Sequence, residues 1–129
     1  MALIEIIIPK GIARVLNLPV SDARSQQLKV LKKLLRRARF TEFGQTYRFD
    51  EILMSRHLGK KFQQMVPSCN YSKIYKDWWY KTLEGTPDVC WPGVIKYFAL
   101  SSGTSEAASK YIPITKDLIR SNTVTSFRQ

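Results

Sequence analysis

Ser101-Ser102-Gly103-Thr104-Ser105-Glu106-Ala107-Ala108-Ser109-Lys110 concentrates the groups in this chain best suited to chemistry. Hydroxyls and backbone N–H groups donate to anionic oxygens, Gly103 lets the backbone approach an anion closely, and Lys110 adds a mobile positive charge. Such a loop suits a phosphate. It is not a Walker A loop, because G-x-x-x-x-G-K-[ST] is absent. A hydroxyl-rich turn is also a common way to reverse a hairpin, so composition alone leaves both readings open.

The flanking runs say how the loop would be held. Val94 to Leu100 is apolar at alternating positions on both sides, which predicts a strand buried on both faces. Tyr111-Ile112-Pro113-Ile114 reads as a second strand, with Pro113 marking an edge or an end. Thr115 then suits an N-cap, with Asp117 in the first turn of a helix running towards Gln129.

Upstream the sequence is mostly helical. Residues 2 to 18 read as partly helical, interrupted by Pro9 and Gly11 and closed by Pro19. Ser21 and Asp22 suit the start of a helix to about Arg39, with Leu28, Leu31, Leu34, Leu35 and Ala38 sharing one face. Its other face carries Lys29, Lys32, Lys33, Arg36, Arg37 and Arg39. Thr41 to Asp50 reads as a turn region in which Gly44 takes a backbone angle other residues avoid. Short helices are expected near 50–58 and 60–65. Asn70 suits the cap of a helix from Tyr71 to Leu83, with an apolar stripe of Tyr71, Ile74, Tyr75, Trp78 and Leu83, stopped by Gly85 and Pro87. Trp78, Trp79 and Tyr80 point three ways, which gives core contacts and one exposed ring rather than a stacking platform.

Several features resemble the Gretchen-Hagen family of auxin-responsive acyl-acid amido synthetases, a branch of the adenylate-forming enzymes. Ser101-Ser102-Gly103-Thr104-Ser105 with Lys110 and Pro113 is similar to its nucleotide-binding signature, including the longer gap from the glycine to the lysine. Thr41-Glu42-Phe43-Gly44 with Tyr47, Val66-Pro67 with Tyr71, and Trp91-Pro92-Gly93 fall in the family's order. Glu106-Ala107-Ala108 departs from the glycines that members often carry, and a carboxylate beside a triphosphate is unfavourable unless it faces solvent.

The resemblance implies an α+β, mostly helical fold: the N-terminal part of a large adenylation domain, with a β-hairpin carrying the phosphate loop. The single domain would span 1–129, helical over 1–90 and strand–loop–strand–helix over 94–129. It also implies ATP with Mg2+, and carboxylic acid and amine substrates. Ser101, Ser102, Gly103, Thr104, Ser105 and Lys110 would bind the ATP phosphates. No catalytic acid, base or metal ligand is assignable, so the chain alone is expected to be an inactive N-terminal piece that exposes apolar surface and self-associates.

Composition bounds the alternatives. At 129 residues and 44% hydrophobic the chain fits one folded domain, able to bury roughly two-thirds of its unfolded surface. A formal charge of +11 favours an anionic partner. The rival reading is a basic, non-catalytic module that binds nucleic acid or an acidic surface through the Lys29–Arg39 face. That helix lacks base-reading side chains, so nucleic acid is not favoured. Cys69 and Cys90 are too few and too far apart for a zinc site, and read as free thiols of a cytoplasmic protein. His57 has no acidic or thiol neighbours in sequence to orient it. Met1 to Pro9 is too short for a membrane span, and no signal peptide is expected.

Overall fold

A computed structural model describes residues 23–101 and 109–126. Within them, seven α-helical segments and one π-helical turn lie on either side of a two-stranded antiparallel hairpin. The order is α1 (Ala23–Ala38), α2 (Glu42–Thr46), α3 (Phe49–Met54), α4 (Leu58–Met65), α5 (Tyr71–Ile74), a π-turn (Tyr75–Trp79), α6 (Tyr80–Leu83), β1 (Tyr97–Ser101), β2 (Lys110–Ile114) and α7 (Lys116–Ser126). The fold is α+β and mostly helical, as the sequence implies. The expected helix over 2–18 and the caps Ser21 and Asp22 lie outside the described residues, as do 127–129.

The core forms where α1 crosses α3 and α4. Leu35, Ala38, Phe49 and Ile52 are buried together, with Leu31, Phe43, Leu58 and Phe62 packed around them. Leu31, Leu35 and Ala38 recur at helical spacing and supply the apolar stripe of α1. Leu34 is 47% exposed, because at ~100° per residue it falls at the margin of that stripe, and Leu28 is 36% exposed.

The stretch from Thr41 is not a turn region. Thr41 is buried, donates its hydroxyl to Ala38 O at 2.7 Å, and accepts from Gly44 N at 3.1 Å. One side chain thus ends α1 and caps α2. The two remaining early N–H groups of α2 are satisfied by a distant loop: Glu42 N donates to Asp88 O at 2.8 Å and Phe43 N to Val89 O at 2.9 Å. Every orphan donor of that first turn has a partner. Gly44 has helical dihedrals rather than a positive φ. Its need is space: an added Cβ would land on the Ala38 carbonyl oxygen, with Ala38 C and Arg39 Cα at 3.0 Å.

From Tyr71 to Leu83 the helix is continuous, but it contains the π-turn. Asn70 caps it, its side chain accepting from Lys73 N at 2.9 Å. The wider turn rotates α6 relative to its place on a plain α-helix. Trp78 and Thr82, four residues apart and so on one face, are the buried positions, and Leu83, expected on the apolar stripe, is 39% exposed. Trp78 meets Phe43 edge-on at 5.1 Å between ring centroids. Gly85 ends the helix at φ +88°, with Gly85 N donating to Thr82 O and Thr86 N to Lys81 O, a Schellman pair.

The expected strand over 94–100 begins at Tyr97, and it is not buried on both faces. Val94, Tyr97 and Leu100 are 51%, 57% and 61% exposed, and only Ile95 and Phe98 are partly covered. The described sheet has two strands, and most of the apolar side chains of β1 stay open to solvent. Pro113 sits within β2 opposite Phe98, a position open to proline only on an edge strand.

Candidate functional site

Antiparallel pairing sets Tyr97 opposite Ile114 and, four pairs on, Ser101 opposite Lys110. Ser101 and Lys110 are thus cross-strand neighbours at the open end of the hairpin, and both are solvent-exposed. Of the expected phosphate ligands these two are described. Ser102, Gly103, Thr104 and Ser105 lie outside the described residues, as do Glu106 to Ala108. The ladder ends where the signature begins, so its first serine and its lysine bracket the connection from opposite strands.

Polar contacts tie the hairpin to the helical body. The Tyr71 hydroxyl accepts from Tyr111 N at 3.0 Å and donates to Tyr111 O at 3.3 Å. Both backbone groups therefore point away from β1, at the outer edge of β2. The Lys110 ammonium lies 5.4 Å from the centroid of the same Tyr71 ring. That ring is itself fixed: it stacks on Tyr75 at 5.8 Å and 23°, and meets Trp79 edge-on at 6.0 Å. On the other flank, Trp91 Nε1 donates to Asp117 Oδ2 at 3.0 Å, and Arg37 pairs with the same carboxylate at 3.6 Å. Thr115 caps α7 by accepting from Leu118 N at 3.0 Å. Asp117 thus does more than complement the helix dipole.

The sequence marks Tyr71 as a helix start and Asp117 as a dipole partner, and names Trp91 only among the landmarks of the family's order. Their tertiary roles carry no local signal. A tyrosine at the first position of a helix reads as apolar packing, and nothing in its spacing points to a strand forty residues away.

Two lysines away from the hairpin are held in surface ion pairs. Lys73 bonds to Asp77 at 3.0 Å, and that hydrogen bond raises the lysine above its ordinary 10.5. Lys81 is raised likewise by its hydrogen bond to Glu42. Cys90 is half-buried, and desolvation pushes its thiol up to about 12, whereas Cys69 is exposed. His57 is exposed and precedes α4, its carbonyl accepting from Lys61 N at 2.9 Å. Lys29, Lys32, Lys33 and Arg36 face solvent along α1. Two shallow depressions of about 490 and 440 Å³ flank α2, and no hairpin residue lines either. Among the described residues no group of three His, Cys, Asp or Glu side chains could hold a metal ion. Nor is any described helix long and apolar enough to cross a membrane.

A helical body carrying a two-stranded antiparallel hairpin, with Ser101 and Lys110 at its open end, defines a mostly helical α+β domain. The pattern describing the GH3 family N-terminal domain matches residues 13–128, nearly the whole chain, and the chain belongs to this family of acyl-acid amido synthetases. No curated protein and no solved structure matches it.

Proposed function

We propose that this chain supplies the nucleotide-phosphate grip of an ATP-dependent acyl-acid amido synthetase. The observation that carries the reading is the register that pairs Ser101 with Lys110 at the mouth of the hairpin, in a chain of this family. In the overall reaction a carboxylate oxygen attacks the α-phosphorus of ATP. An O–P bond forms, the α–β phosphoanhydride breaks, and pyrophosphate leaves. An amine then attacks the acyl carbon of the adenylate and AMP departs. The first step gathers negative charge on phosphoryl oxygens, so positioning and electrostatics carry most of the catalysis.

Ser101, Ser102, Thr104 and Ser105 donate to phosphate oxygens, Gly103 permits close approach, and Lys110 offsets the charge of the departing pyrophosphate. Magnesium binds mainly through phosphate oxygens and water. Ser101 and Lys110, the two ligands described, offer a hydroxyl and an ammonium rather than a carboxylate, which fits an ion carried in by the nucleotide. The acid and amine sites are assigned to no residue of this chain, and by itself it is expected to turn over little or nothing.

The test is titration of the 129-residue chain with MgATP. Saturable binding is expected, weakened about ten-fold or more in Lys110→Ala, the loss typical of a charge-assisted hydrogen bond. Binding that is absent, or indifferent to Lys110 but abolished by charge reversal at Lys29, Lys32, Lys33 and Arg36, overturns the reading in favour of a polyanion-binding surface on α1.

A further inference from the structure

We propose that Tyr71 is a positioning residue for Lys110, fixing through one side chain both the strand that carries the lysine and the direction of its ammonium. The functional half of this inference rests on the nucleotide-grip reading.

A lysine at the end of a two-stranded hairpin is poorly placed to hold an anion. Its stem has many rotamers to lose, and the strand beneath it frays. Tyr71 answers both problems. Its hydroxyl occupies the N–H and C=O of Tyr111, the residue next to Lys110, as a neighbouring strand would. Its ring face lies under the Lys110 ammonium at 5.4 Å, close enough for a cation–π attraction. The ring cannot swing away freely, because Tyr75 stacks on it and Trp79 abuts its edge. Asn70 fixes the start of the helix on which it stands. Lys110 is exposed, so its ammonium keeps room for an anion while it rests on the ring. Restricting the lysine before the ligand arrives reduces the ordering cost of binding.

The phenol and the ring are separable. Tyr71→Phe keeps the ring and loses both hydrogen bonds, while Tyr71→Leu loses both features. Two readouts apply to the 129-residue chain. The first is NMR, tracking hydrogen exchange of the Tyr111 amide and the ring-current shift of the Lys110 ε-methylene protons. The second is the MgATP dissociation constant in a double-mutant cycle with Lys110→Ala.

Tyr71→Phe is expected to speed Tyr111 amide exchange about five- to ten-fold, the loss of one net hydrogen bond. It should also weaken MgATP by about the same factor. Tyr71→Leu should in addition erase the Lys110 ring-current shift. In the Lys110→Ala background Tyr71→Phe should cost nothing further, since the group it positions is gone. A purely structural tyrosine would lower affinity equally in both backgrounds, and that result overturns the proposal. So does a Lys110 shift that Tyr71→Leu leaves intact. If Tyr71→Leu does not fold, the volume-conserving Tyr71→Phe cycle decides alone. An unaltered chain that binds no MgATP removes the nucleotide reading and with it the functional role. The NMR arm still distinguishes that failure from a Tyr71 that never held Lys110.

Discussion

Replacing Gly44 by alanine tests whether the α1–α2 corner is held by close backbone approach. Alanine is the better helix former by about 1 kcal/mol, and Gly44 lies inside α2 at ordinary helical dihedrals, so local preference alone predicts stabilisation. Packing predicts the reverse. The new methyl would overlap the Ala38 carbonyl oxygen, with Ala38 C and Arg39 Cα at 3.0 Å, and all three are backbone atoms that no rotamer change can move aside. That carbonyl also accepts the Thr41 hydroxyl and the Thr41 N–H, so displacing it disturbs both bonds. Overpacking against groups that yield typically costs ~1–3 kcal/mol, and a rigid partner belongs at or beyond the upper end. The net expectation is a loss of about 2 kcal/mol, read as a melting temperature lower by about 10 °C in a domain of this size. Gly59→Ala is the control. Its added methyl would meet only Leu28 Cδ2 at 3.0 Å, the far end of a flexible side chain on a helix partly open to solvent. That variant should lie between neutral and ~1 kcal/mol more stable. Chemical denaturation of the three proteins side by side decides it. A Gly44→Ala protein as stable as Gly59→Ala would refute the close-approach account of the corner.

Thr41→Val keeps the side-chain volume but strands the Gly44 N–H inside the protein, and should cost about 2 kcal/mol in the same denaturation assay. Alkylation coupled to mass spectrometry should separate the two thiols: at pH 8 exposed Cys69 reacts. Cys90, pushed up to about 12 from 9.0, presents on the order of a thousand-fold less thiolate and should react only after unfolding. The Lys73–Asp77 and Lys81–Glu42 contacts hold the folded-state lysines above 10.5, so their contribution is complete below that value. It is lost only as the pH rises through the raised values, and stability measured from pH 7 to 9 should show no decline from these pairs.

The residues divide by the range of the force that places them. The caps at Asn70 and Thr115, the stop at Gly85 and the hairpin edge at Pro113 are all legible in the sequence, because each is settled within a few residues by hydrogen bonding or by an allowed φ. The stripe of α1 is legible in Leu31, Leu35 and Ala38 for the same reason. Gly44 stands out in the sequence, but for the wrong property. A glycine reads as a backbone angle when its neighbours look like a turn, and only the Ala38 carbonyl reveals that the need is for space. Tyr75 to Trp79 hide a π-turn, since one turn of wider pitch leaves the apolar spacing almost unchanged, and polar Thr82, four residues beyond Trp78, is buried where the sequence offers Leu83. The strand before Ser101 reads as buried on both faces and is not. Alternation of apolar residues on two sides reports a requirement for burial, not its fulfilment, and most of the apolar side chains of β1 stay open to solvent. At the candidate site the division is sharper. The type and order of Ser101 and Lys110 are legible, and a hairpin register comes from strands on either side of a turn. Holding that hairpin against the helices are a phenol on Tyr71, an indole on Trp91 and a carboxylate on Asp117. Each has an adequate local explanation, and each therefore conceals its distant partner. Single side chains that satisfy both a local rule and a long-range contact are where sequence reasoning stops short, and Tyr71, whose ring lies beneath the Lys110 ammonium, is the one that touches the candidate site.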